Sequence, residues 1–220
     1  MFGDSFWQGI NRDALTNRLF QVRYRRGKMV DCIIGLSGSV CAGKSTLANG
    51  WAYQFPMVTT VSLSSWLASL VTTETPLRDD YTMAAMMMAQ EHGLHALAQM
   101  VLDVLPTLAS RVVVVDGLRW VEQHQFLRRH ATVPYVMLYV DAAVQVRWRR
   151  QQKRNRFPGD DVMDLQTFWK GERDSFTEAT IPQLREHADL FVENVELEEA
   201  WLARGAQLLR DCLWMARLDS

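Results

Sequence analysis

Residues Gly38, Ser39, Val40, Cys41, Ala42, Gly43, Lys44 and Ser45 spell G-x-x-x-x-G-K-S, and their neighbours give the pattern a structural context. Residues 29–36 are mostly apolar and predict a buried strand, whereas residues 46–54 predict a helix that Pro56 stops. Strand, glycine-rich loop and helix together make a phosphate-binding loop. Gly38 and Gly43 open backbone angles closed to other residues. Successive N–H groups then converge on an anion, and the helix N-terminus adds its positive dipole end. In such a loop Lys44 reaches the β- and γ-phosphates and the Ser45 hydroxyl is a Mg²⁺ ligand. The expected ligand is a nucleoside triphosphate, held by residues 38–45 with Thr46 beside them.

Four more strands are expected, at 57–63, 111–116, 134–141 and 189–193. Between and after them the patterns predict helices at 82–105, 121–130, 142–153, 165–180 and 197–218. This alternation argues for a parallel sheet covered on both faces. Such sheets bind ligands at the carboxyl ends of their strands, where Asp116 and Asp141 fall beside the glycine loop. Residues 1–28 stand apart as an aromatic, basic extension with a helix expected over about 10–24.

With 220 residues, 48% of them hydrophobic, the chain suits one domain with a full core. A net charge of −1 excludes global attraction to polyanions, so any nucleic-acid contact has to come from a local patch. The three cysteines, Cys32, Cys41 and Cys212, form neither a metal spacing nor a disulfide framework, which fits a cytoplasmic location. Cationic surroundings could lower the pKa of Cys41, although a small loop filler is the plainer reading. No secretory signal and no membrane-spanning run is expected.

Asp116-Gly117-Leu118-Arg119 follows an apolar strand. Here Asp116 can hold a Mg²⁺-bound water or orient an acceptor hydroxyl, and Arg119 can grip a phosphate bidentately. Arg147, Arg149, Arg150, Lys153, Arg154 and Arg156 are the densest positive run, followed by the turn Phe157-Pro158-Gly159-Asp160-Asp161. On a helix Arg147, Arg150 and Arg154 share one face, and Arg156 lies beyond. The run reads as a closable, charge-neutralising lid, as a solvated face, or as a nucleic-acid contact. Ser64, Trp66 and Arg78 follow the second strand on the expected acceptor side. Trp66 either stacks on a base or packs in the core, and Arg78 can hold an acceptor phosphate. Met83, Met86, Met87 and Met88 either fill the core, the commoner fate, or line a substrate pocket. The five histidines make no zinc spacing, and no G-x-G-x-x-G fingerprint is present.

The segments IIGLSGSVCAGKSTLA, VVVVDGLRWVEQHQFLRR, VRWRRQQKRNRFPGDD and ADLFVENVELEEAW follow one another in the order seen in a known superfamily. By these the chain resembles the P-loop nucleoside monophosphate kinase-like proteins, particularly the deoxynucleoside monophosphate kinase, dephospho-coenzyme A kinase and archaeal adenylate-kinase-like branches. The resemblance implies an α/β three-layer sandwich with a five-stranded parallel sheet of order 2-3-1-4-5 and helices on both faces. It implies a kinase domain over 29–220, with a small lid at about 147–165, ATP and Mg²⁺. By position Lys44 would contact the transferring phosphate and Arg119 the acceptor side. Arg150, Arg154 and Arg156 would be lid arginines, Asn194 would lie near the donor base, and Asp116 would occupy the acidic position after the third strand. The chain departs from adenylate kinases in carrying Leu118-Arg119 where they carry Phe-Pro-Arg. Its acceptor segment, 64–78, matches no named substrate class.

These residues lead to an ATP-dependent phosphotransferase acting on a nucleotide-like acceptor, first of all a (deoxy)nucleoside monophosphate. The alternatives are a kinase of a hydroxymethylated pyrimidine in phage DNA, reached through the basic arm and the arginine run, and a nucleotide-binding regulatory module with little turnover. No membrane partner is expected, and the protein is expected to be a monomer or homodimer.

Overall fold

Between Cys32 and Ser37 there is no charged side chain, and this run forms the central strand of the sheet. The computed structural model describes residues 30–195 and 197–218; the expected extension at 1–28 lies outside the described residues. The elements are β1 (Cys32–Ser37), α1 (Lys44–Gln54), β2 (Val58–Ser62), α2 (Leu63–Ala68), α3 (Arg78–His92), α4 (Ala96–Val104), β3 (Val112–Leu118) and α5 (Val121–His130). They continue as β4 (Tyr135–Asp141), α6 (Val144–Arg154), α7 (Leu165–Asp174), α8 (Ile181–Arg185), β5 (Leu190–Glu193) and α9 (Glu198–Leu218). The five strands are all parallel, in the order β2-β3-β1-β4-β5. This is the expected sheet.

The alternation of side chains along each strand divides the core in two. Ile33, Val113, Val115, Met137 and Tyr139 pack beneath α2, α3, α4, α5 and α8. Ile34, Leu36, Val112, Val114, Val136 and Leu138 face α1 and α9. On that second face Trp51 of α1 is 1% exposed, and its indole N–H donates to the Gly205 carbonyl of α9 at 2.6 Å. Met87 and Met88 are buried, in line with the core reading of the methionines.

Two expected helices are shorter than their patterns. The segment 82–105 is split into α3 and α4, because Gly93 adopts φ +86°, outside the helical region, and its N–H caps Ala89. The helix expected over 165–180 stops at Asp174, where Ser175 is extended. Residues 175–180 are thereby released to fold back toward the end of β3, where the Thr180 hydroxyl donates to the Arg119 carbonyl at 3.0 Å. Strand β3 itself runs past Asp116 to Leu118. Its register with β1 slips there, from Leu36 opposite Asp116 to Ser37 opposite Leu118. That bulge re-aims the chain where the charged residues begin.

Trp51→Ala removes one of the two buried tryptophans of the α1–α9 cluster. The expected cost is about 3–5 kcal/mol of unfolding free energy, read by denaturant titration. A loss below about 1 kcal/mol would contradict this packing.

Candidate active site

The glycine loop leaves β1 tightly against β4. A Cβ on Gly38 would stand 1.8 Å from the Val140 carbonyl oxygen, so only glycine fits at this crossing. The loop is fastened from behind through its polar groups. Ser39 Oγ donates to Asp141 Oδ1 at 3.1 Å. The Ala42 carbonyl accepts from Asn194 Nδ2 at 2.8 Å and from Arg150 Nη1 at 3.2 Å. The Gly43 carbonyl accepts from Trp201 Nε1 at 3.1 Å. With its carbonyls turned outward and satisfied, the loop suits an anion on its amide side.

Lys44 is the first residue of α1 and is 8% exposed. Its ammonium donates to the Gly38 and Ser39 carbonyls at 2.6 and 2.7 Å. Burial, then the charge of Arg119, pushes its pKa down to about 8, against the opposite pull of Asp116 and Glu178. Ser45 Oγ donates to Asp116 Oδ2 at 2.6 Å. Among the described residues two buried side-chain oxygens have no hydrogen-bond partner, Asp116 Oδ1 and Glu178 Oε2. An unmatched carboxylate oxygen beside a serine hydroxyl and a phosphate loop fits Mg²⁺, which takes one or two carboxylates and completes its shell with phosphate oxygens and water.

The structure distributes the expected cationic residues unevenly. Arg119 pairs with Glu178, a residue no motif marks. Arg78 pairs with Asp160 at 3.3 Å. Asp160, 2% exposed, also accepts from Gln151 Nε2 at 2.8 Å and from the Arg156 and Phe157 amides at 3.2 and 3.1 Å. Arg156 lies over the rings of Tyr81 and Phe157. The turn at 155–164 is thus docked on the start of α3. Arg147 is buried, pairs with Glu172 and donates to the Ala142 carbonyl at 2.8 Å, so it tethers α6 to α7 and is no part of a solvated face. Arg150 sits behind the loop as described, Asn194 is 2% exposed against it, and Arg154 is exposed. Burial outweighs the nearby cations and raises the Cys41 thiol, which fits the loop-filler reading.

On the expected acceptor side Ser62 Oγ caps α2 by accepting from the Ser65 amide at 3.3 Å, with Ser64 Oγ 3.2 Å away. Trp66 is partly buried and packs against the core, yet also lines an open groove of about 460 Å³ with Thr59, Thr60, Ser62, Ser65 and Thr107. No group of three or more His, Cys, Asp or Glu suited to a metal occurs among the described residues, and none of the described helices is long and apolar enough to cross a membrane.

No protein-family model matches the sequence, and no curated protein matches it. Solved structures do. TT1252 from Thermus thermophilus is 19% identical with a TM-score of 0.55, over 82% of this chain and 98% of that one. The Mycobacterium tuberculosis APS kinase CysC, solved with AMPPNP and APS, is 13% identical with a TM-score of 0.53, over 83% and 99%. A gluconokinase from Sinorhizobium meliloti 1021 is 14% identical with a TM-score of 0.51, over 88% and 100%. The fold is that of the P-loop kinases.

In this P-loop fold Lys44 gives a pH signature. The folded side chain holds its proton less tightly than the unfolded one, so the unfolded chain binds more protons above about pH 8. Native stability therefore rises with pH through that interval. If the ammonium takes part in holding an ATP analogue, binding of that analogue should weaken there by about tenfold per pH unit. Calorimetric titration from pH 7 to 9.5 should show this fall, and Lys44→Arg should flatten it. A flat wild-type profile would contradict the assignment.

Proposed function

We propose that this chain is an ATP-dependent phosphotransferase that moves the γ-phosphoryl group to a nucleotide-like acceptor. The observation that carries the reading is the cluster at the mouth of the loop: Lys44, and Ser45 bonded to Asp116 with Asp116 Oδ1 unmatched. The loop amides would hold the β- and γ-phosphates. Lys44, now on the Gly38 and Ser39 carbonyls, would transfer its ammonium to the phosphate oxygens. Mg²⁺ held by Ser45, with Asp116 alongside, would supply neutralisation of the triphosphate charge. Asn194 and Arg150 brace the loop, and the exposed Val195 next to them offers apolar surface for the donor base. The segment at about 147–165 serves as the lid, with Arg154 and Arg156 brought toward the phosphates. The likeness to the APS kinase and gluconokinase structures supports a small-molecule kinase.

The first acceptor in this reading is a (deoxy)nucleoside monophosphate, its phosphate met by Arg119 and, once released from Asp160, by Arg78. A second reading, phosphorylation of a hydroxymethylated pyrimidine in DNA, gains from one observation. Both acceptor-side arginines are already neutralised by carboxylates, which suits a hydroxyl better than a phosphate dianion.

Labelled γ-phosphate transfer from ATP, screened against deoxynucleoside monophosphates, dephospho-coenzyme A and hydroxymethylated DNA, should yield a labelled product. Lys44→Ala should keep the fold and lower transfer by about 10²–10³-fold. Full activity in that variant would exclude the mechanism. Tight ATP binding with no product from any acceptor would favour a regulatory module. Mobility shifts of duplex DNA should weaken steeply with salt if DNA is the acceptor.

A further inference from the structure

Glu178 lies in the segment that folds back after α7, and its position follows from no motif. One carboxylate oxygen, Oε1, is held by Arg119 Nη1. The other, Oε2, is buried without a partner. The side chain as a whole is 13% exposed. A buried carboxylate oxygen left unmatched carries a desolvation cost, which a structural ion pair alone does not require. The residue also lies close enough to Lys44 to act on its charge, as Asp116 does. Asp116 and Glu178 thus each leave one carboxylate oxygen unmatched; Mg²⁺ would account for that of Asp116, and nothing in the loop accounts for that of Glu178.

Resting on the kinase reading, but favouring its hydroxyl acceptor over the nucleoside monophosphate, we propose that Glu178 Oε2 receives the hydroxyl of the phosphoryl acceptor, so that this site phosphorylates an alcohol. The charge pattern selects for it. A hydroxyl donates a hydrogen bond to Oε2 and relieves its cost. A phosphate monoester brings one or two negative charges against an anionic oxygen, and the nearest cation, Arg119, is already paired. Arg119 keeps Glu178 anionic and fixes its direction through the bond to Oε1. In the transfer the acceptor oxygen bonds to the γ-phosphorus as the bond to the β,γ-bridging oxygen breaks. ADP leaves with that electron pair, and the hydroxyl proton passes to Oε2 and then to solvent.

The test uses the full chain with ATP, taking water as the simplest hydroxyl acceptor and the acceptor panel above as the second. Glu178→Gln keeps the shape and a hydrogen-bond acceptor for Arg119. It should lower Lys44-dependent ATP hydrolysis, and kcat/KM for any alcohol acceptor, by about 10²-fold, with AMPPNP affinity within threefold of wild type. Glu178→Asp, which retains the countercharge and withdraws the oxygen by one methylene, should show the same split and serves if the glutamine variant does not fold. Phosphorus NMR of product should show a phosphomonoester. Turnover that depends on Lys44 but is indifferent to both Glu178 variants would overturn the assignment and leave the kinase reading standing, as would a product that is only a phosphoanhydride. Turnover indifferent to Lys44→Ala would instead sink the kinase reading, and this inference with it.

Discussion

The architecture depends on how the glycine loop is held from behind. A ring of backbone amides can face an anion only if the carbonyls on the opposite side have partners, because buried carbonyls are costly to leave unpaired. Here the partners come from distant parts of the chain. Asn194 follows β5, Trp201 belongs to α9 and Arg150 to α6, while Asp141 at the end of β4 accepts the Ser39 hydroxyl. The order of the strands, with β4 and β5 on one side of β1, is what brings these groups to the loop. Sheet order and phosphate cradle are two aspects of one arrangement.

Around the mouth of this cradle cations and carboxylates occur in pairs. Lys44 stands among Arg119, Asp116 and Glu178, and Arg78 meets Asp160. Such pairing keeps the buried charges tolerable before any ligand arrives. Arg78 and Arg119 are each held by a carboxylate, whereas the Lys44 ammonium rests on two loop carbonyls.

Much of this was legible in the sequence. The loop, its Lys44 and Ser45, and the Asp116 that completes them are local patterns, fixed by spacing within an element or at a strand end. The sheet follows from apolar runs such as residues 112–115, which suit only a strand buried on both faces. What could not be read depends on long-range pairing. In the sequence Arg147 is one charge of a basic run, and only the approach of α7 gives it Glu172. Glu178 lies in a stretch whose periodicity continues that of α7, so the turn that carries it back to β3 is a tertiary effect that overrides local propensity. The break at Gly93 was the exception, since glycine within a helical pattern is a local signal.

The bonds of Asp160 have a mechanical consequence. One buried carboxylate joins Arg78 at the start of α3, Gln151 on α6 and two amides of the turn that follows. The turn at 155–164 and the start of α3 are therefore hinged at one point. Any displacement of that turn must drag α3 along or snap this joint, so a load on either half is felt by the other.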